Sequence, residues 1–295
     1  MATARQEIHS NGPRPVYNPG ITDIPVLTPH WHVLGAGAIG SLFAAFLRSA
    51  GCAVTLVLRA GSSPAVSELI VERQQERECL TLPVSTCTDS AQISHLLVTT
   101  KAYDVSAAVR AIAHRLDAAS QVVLLANGMG FVHEIHRERP WLNLYQGTTT
   151  EGAYTLARHH IRHAGSGQTR IGQPGTKNPP AWFDCWSACS ANCLWDANIE
   201  QALWLKLAIN CAINPLSALH RCRNGELLER PEIAAQVAML CTEIAQISAA
   251  AGYDMPGPVL AARVREVITG TADNHSSMLQ DVQQGRPTEI DYITG

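Results

Sequence analysis

The chain has 295 residues, 46% of them hydrophobic and 16% charged, which suits about two domains with a sizeable core and excludes a disordered chain. Lys plus Arg number 22 against 25 Asp plus Glu, a net charge of −3, so no global electrostatic attraction draws the chain to nucleic acid or to an anionic membrane. No apolar run reaches the ~18 residues that a spanning helix needs.

Residues 1–29 are polar and punctuated by Pro13, Pro15, Pro19 and Pro25. No apolar stretch follows a basic start, so they read as a loose extension and not as a secretory signal. Trp31–Leu34 is a short apolar run ending at a glycine and reads as a first strand. Ala38–Ala50 has helical composition and stops at Gly51, a C-cap residue. Ala53–Leu58, Leu96–Thr100 and Gln121–Ala126 are short and apolar, as buried strands are, and Val105–Leu116 reads as a helix. Strands alternating with helices imply βαβ units and a parallel sheet. Gln173–Trp182, dense in Pro and Gly, reads as a loop. From about Asn198 the pattern changes: residues 199–219, 232–251 and most of 258–284 are Ala/Leu/Ile-rich and helical. No internal repeat is visible.

Gly35-Ala36-Gly37-Ala38-Ile39-Gly40 is a G-x-G-x-x-G run placed directly after a strand and opening a helix, the context that makes it a dinucleotide fingerprint. Gly35 permits the tight turn, Gly37 lets a pyrophosphate approach the backbone, and Gly40 lets helix and strand pack closely; the helix N-terminus offers unpaired N–H groups to the phosphates. An NAD site usually carries an acid at the end of the second strand. Here that strand ends Val57-Leu58-Arg59 and the next acid is Glu68, too late for the role, so Arg59 favours the 2′-phosphate of NADP. The expected fold is an α/β N-terminal Rossmann-type dinucleotide-binding domain, residues 30–197, followed by an all-α C-terminal domain, residues 198–295.

Ile199–His220 is apolar nearly all round, interrupted by Lys206, Asn210 and Asn214 at i, i+4 and i+8. These share one helix face. Burying a lysine and two amides is costly without partners, and a cleft for a polar ligand accounts for all three. Pro215 is expected to bend or end the helix there. Ser276-Ser277-Met-Leu-Gln-Asp281 and Thr288-Glu289-Ile-Asp291 each look like a helix start, and spacing alone gives Ser277 and Glu289 capping roles.

The nine cysteines are odd in number and form no CxxC pair, which fits reduced cytosolic thiols and a cytoplasmic chain. Cys185, Cys189 and Cys193, four apart, would share a helix face, and ordinary small thiols are favoured over a soft-metal site. His159, His160 and His163 match no zinc spacing, His159 and His160 read as an exposed turn, and no metal is expected.

Taken in order, VLGAGAIGSL, LLVTTKAYDV, LLANGMG, GTTTEGA, LWLKLAINCAINPLSAL, CRNGEL and SSMLQDVQQGRPTEIDYITG resemble the ketopantoate reductases (2-dehydropantoate 2-reductases) of the 6-phosphogluconate-dehydrogenase-like group. The resemblance implies an oxidoreductase that reduces a small 2-keto acid with NADPH to give pantoate, on the way to coenzyme A. By motif, Gly35–Gly40 would hold the pyrophosphate and Arg59 would face the 2′-phosphate. Lys101 and Asn127 would line the nicotinamide side, with Ala153 nearby. Lys206 would be the general acid, its pKa lowered by desolvation against an opposing effect of Glu289, the acidic position beside the active site. Asn210, Asn214, Asn224 and Ser277 would hold the keto acid. No nucleic acid or membrane partner is implied, and monomer and dimer both stay open. The resemblance departs at both ends: about 30 residues precede the first strand, and the family's last helix continues for some tens of residues where this chain stops at Gly295. A stub that short is marginal without tertiary support. Two alternatives remain: a related reductase of another 2-keto acid, and a catalytically weak NADP-binding protein.

Overall fold

The computed structural model describes residues 28–61, 66–74, 76–189 and 191–295; of the expected N-terminal extension, residues 1–27 lie outside them. Among the described residues, eleven strands form one sheet: β1 (His30–Leu34), β2 (Ala53–Leu58), β3 (Val66–Arg73), β4 (Glu76–Thr86), β5 (His95–Val98), β6 (Gln121–Leu124), β7 (Asn143–Thr149), β8 (Gly152–Ala157), β9 (His160–Gly165), β10 (Thr169–Gly172) and β11 (Cys193–Trp195), in the order β11-β10-β7-β6-β5-β1-β2-β4-β3-β9-β8. The six strands from β7 to β4 in that order are mutually parallel. Helices α1 (Ala38–Ser49), α2 (Ala102–Ile112) and α3 (Phe131–Glu138) provide the crossovers. Parallel strands need such connections and are buried on both faces. Accordingly Val33 and Leu56 enter a cluster with Phe43, Phe46 and Trp186, whereas Leu34 and Val57 enter another with Val105, Val109 and Phe131.

The expected strands and helices of this half are present, but the hairpin β3–β4 and the pair β8–β9 were not expected. Their residues are too polar to read as buried strands. Leu69, Val71, Leu82 and Ile161 turn one face into the core, while on these strands Arg73 pairs with Glu78 and Glu72 with Arg162, so charged residues interrupt the apolar alternation. The cysteine reading is also corrected. Only Cys185 lies in the five-residue helix α4 (Phe183–Ser187), and Cys193 opens β11, so the three thiols share no helix face.

Beyond β11 the chain is helical: α5 (Ile199–His220), α6 (Glu226–Glu229), α7 (Pro231–Ala250), α8 (Gly257–Gly270), α9 (Ser277–Gln283) and α10 (Ile290–Ile293). Contrary to the sequence reading, α5 and α7 are long and apolar enough by composition to cross a membrane. In this fold they pack on each other, burying Ala208, Ala212, Ile213, Ile233 and Val237 with Leu260 and Val264 of α8. Nor does Pro215 end α5, which continues to His220. The turns on either side of the proline are buried, and a missing N–H affects one ladder bond only.

Candidate active site

Ligand sites in open α/β sheets lie beyond the C-terminal ends of the parallel strands. There the candidate residues stand in strand order: Arg59 after β2, Gly35–Gly40 after β1, Lys101 after β5 and Asn127 after β6, with Thr149 at the end of β7. From β2 to β7 is four strand spacings, about 19 Å, the reach of an extended dinucleotide and a small substrate.

The glycine loop fits a dinucleotide phosphate. Gly35 has φ +103°, and a side chain there would come within 2.8 Å of the Thr100 nitrogen. A Cβ on Gly40 would strike the Gly35 carbonyl and Thr99 Oγ1. One on Gly37 would meet nothing among the described residues within 4 Å, so the loop is packed behind and open in front. Gly37 is the N-cap of α1 without a side-chain cap, which leaves the N–H groups of Ala38, Ile39 and Gly40 for an anion.

Lys206 lies half-buried on α5, and its Nζ donates to the Thr149 carbonyl at 2.7 Å. The turn that presents this carbonyl is fastened from several sides. Thr149 Oγ1 is 2.8 Å from Thr169 Oγ1 and accepts from the Glu151 N–H at 3.1 Å, and the buried Glu151 carboxylate pairs with His163 Nε2 at 2.6 Å. Burial lowers the Lys206 pKa to about 8, with Glu289 pulling the other way.

Glu289 is 4% exposed and does not cap its own helix. Its Oε1 accepts from the Ala102 N–H at 2.9 Å and its Oε2 from Asn127 Nδ2 at 3.4 Å, with Lys101 Nζ at 3.7 Å. The capping role is therefore corrected: Glu289 caps α2, across the chain, where the helix N-terminus attracts a carboxylate. Lys101 Nζ also donates to Asp281 Oδ2 at 2.6 Å. The residues brought together are thus Lys101, Ala102, Asn127, Asp281 and Glu289, with Lys206 close enough to feel the charge of Glu289.

Asn210 and Asn214 continue the Lys206 face of α5, Asn210 half-buried and Asn214 buried. Ser276, not Ser277, is the N-cap of α9. Its Oγ accepts from the Leu279 N–H at 3.1 Å and lies 2.5 Å from Ser217 Oγ, which also reaches the Asn214 carbonyl at 3.0 Å. Ser277 is exposed in the first turn, beside this anchor. Asn224 is buried: its Nδ2 donates to Thr271 Oγ1 at 2.9 Å, and among the described residues its Oδ1 has no hydrogen-bond partner. Ala153 is the second residue of β8 and packs half-buried on the apolar cluster that Ala36, Ala38 and Ile39 also touch. His160 and His163 are held by Glu72 and Glu151. His160 therefore lies in β9 and not in an exposed turn, which corrects that reading for it; His159, at φ +54°, occupies the turn itself.

Residues 31–175 match the family model described as ketopantoate reductase PanE/ApbA, and residues 198–295 match its C-terminal counterpart. The chain belongs to the ketopantoate reductase family. It is 36% identical over 270 residues to the 2-dehydropantoate 2-reductase of Vibrio cholerae, spanning 89% of this chain and 88% of that protein. To the 2-dehydropantoate 2-reductase of Archaeoglobus fulgidus it is 32% identical, over 89% of this chain and 87% of that one. Among solved structures, a PanE/ApbA family ketopantoate reductase from Ralstonia eutropha superposes with a TM-score of 0.79 at 24% identity, over 90% of this chain and 88% of that one. A ternary complex of D-mandelate dehydrogenase with NADH and anilino(oxo)acetate superposes with a TM-score of 0.78 at 23% identity, over 89% of each chain.

Three contributors to this candidate site escaped the sequence reading. The Thr149 carbonyl is a backbone group and leaves no trace in side-chain spacing. Asp281 lies inside the SSMLQD motif but read as part of a capping pattern. Tyr292 offers its carbonyl to the Met129 N–H at 3.1 Å and lies over Gly128, where φ is +81° and a Cβ would come within 2.6 Å of that carbonyl. This contact seats α10 on the loop that carries Asn127.

Proposed function

We propose that this chain is a cytoplasmic 2-dehydropantoate 2-reductase that takes a small 2-keto acid, ketopantoate, to (R)-pantoate with NADPH. The observation that carries the reading is Lys206, an ammonium on an apolar helix, with a pKa near 8, at the end of the strand edge along which the dinucleotide loop also opens. The bound nicotinamide supplies a hydride. As negative charge builds on the keto oxygen, an ammonium at hand stabilises it and then gives up a proton. Lys206 has three N–H donors and spends one on Thr149, so others remain for the substrate oxygen. Lys206 and Glu289 form the catalytic pair. Asn210 and Asn214, on the same face, and Ser277 and Asn224 recognise the carboxylate and hydroxyl groups without adding charge. Gly35–Gly40, Arg59, Lys101, Asn127 and Ala153 are the cofactor side.

The test is a steady-state assay with NADPH on ketopantoate and on a panel of other 2-keto acids, for the native chain and for Lys206→Ala. The variant should lose turnover by about a thousandfold while nucleotide fluorescence shows NADPH still bound. Near-native turnover in Lys206→Ala removes the lysine from the mechanism, and a higher kcat/KM on another keto acid reassigns the substrate.

A further inference from the structure

Arg59 follows β2, and Asp104 lies in the first turn of α2, which follows β5; β1 and its glycine loop lie between them. The two strand ends are about 10 Å apart. The side chains close that span, with Arg59 Nη2 3.4 Å from Asp104 Oδ2. The pair therefore links the ends of the two strands that flank β1 and its glycine loop. Its side chains are 92% and 43% exposed and the contact is long, so it adds little to stability. Among the described residues, Asp104 is the only acid that pairs with Arg59.

We propose that Asp104 is a specificity-determining residue for the cofactor, working against Arg59: its carboxylate opposes a 2′-phosphate and accepts a ribose hydroxyl, so that the chain separates NADPH from NADH less sharply than Arg59 alone would. This rests on the reading of Arg59 as the phosphate's partner. A phosphomonoester carries close to two negative charges near neutral pH. Facing a carboxylate at about 6 Å in a water-like medium, it loses roughly threefold in affinity at physiological ionic strength and nearly tenfold at low salt. A 2′-hydroxyl suffers no such repulsion and can donate to the carboxylate. NAD sites use an acid at the end of the second strand in this way; here the acid comes from the neighbouring helix.

The experiment measures equilibrium binding of NADPH and NADH by nucleotide fluorescence, at low and physiological salt, to the native chain, Asp104→Asn and Arg59→Ala. The fragments 2′,5′-ADP and 5′-ADP serve as competitors that isolate the phosphate. Asp104→Asn should tighten NADPH and 2′,5′-ADP by about three- to tenfold, more at low salt, and leave NADH and 5′-ADP unchanged or weaker. An equal shift for phosphorylated and unphosphorylated nucleotides, or weaker NADPH binding, overturns the assignment of Asp104. Arg59→Ala keeps the underlying reading separate. Loss of the NADPH preference in that variant upholds Arg59 whatever Asp104 does, and an unchanged preference overturns Arg59 while Asp104→Asn still decides Asp104.

Discussion

At the scale of single residues, the proposed role of Lys206 as general acid is tested through its ionisation. A general acid must hold its proton, so turnover should be level below about pH 8 and fall as the pH passes that value. Glu289 raises the lysine pKa while burial lowers it. Glu289→Gln keeps an oxygen for the Ala102 N–H but removes the charge. The alkaline limb of kcat should then move to lower pH, by on the order of one unit. A kcat profile recorded from pH 6 to 10 for both proteins measures this, and an unmoved limb would mean that Glu289 does not govern the lysine. The same shift has a sign for stability. Because the folded chain holds this proton less tightly than an ordinary lysine at 10.5 does, Lys206 costs folding energy in full below about pH 8, and the cost fades as the pH rises toward 10.5.

At the scale of elements, the N-terminus of α9 illustrates how a cap serves a site. Ser276 Oγ receives the Leu279 N–H and meets Ser217 of α5, which fixes α9 against the turn that carries Asn214. Ser276→Ala should cost about 1 kcal/mol in denaturant unfolding and raise KM for the keto acid while NADPH affinity stays the same. Ser276→Thr, which restores the hydroxyl, should reverse both; a KM unmoved by the alanine would disconnect the cap from Ser277. The sequence makes some of these elements plain and hides others, for physical reasons. β1, α1 and β2 are legible because a buried parallel strand is continuously apolar and the glycine loop punctuates it. The Lys206–Asn210–Asn214 stripe is legible because a helix repeats every 3.6 residues. β3 and β4 are hidden because Glu72, Arg73, Glu76, Arg77 and Glu78 break their apolar runs, and the partners of Glu72, His160 and Arg162, lie some ninety residues away on β9. The cap that Glu289 places on α2 is hidden because its partner is 187 residues away, beyond any local pattern.

At the scale of the whole molecule, two buried carboxylates from the helical part grip one corner of the sheet. Asp281, 1% exposed, accepts from Lys101 Nζ at 2.6 Å on one oxygen and from Arg286 Nε and Nη2 at 2.9 and 2.8 Å on the other. Glu289 takes the Ala102 N–H next to it. Lys101 is 35% exposed at its side chain, so it keeps contact with solvent while Asp281 holds it. In Asp281→Asn one carboxylate oxygen becomes a donor that must face either Lys101 or Arg286, so one of the two contacts is lost. The cost should be about 2 kcal/mol, below that of a fully buried pair because Lys101 is partly solvated. The loss is local to the corner, because α5, α7 and α8 have an apolar core of their own. Amide hydrogen exchange should therefore quicken at the first turn of α2 and through α9 and α10, and remain unchanged in α7 and α8. In the assay, kcat/KM should fall while NADPH affinity changes by less. If protection drops evenly over the chain instead, Asp281 supports the fold as a whole; only loss confined to this corner marks it as the tie that sets Lys206 and Glu289 against the nucleotide edge.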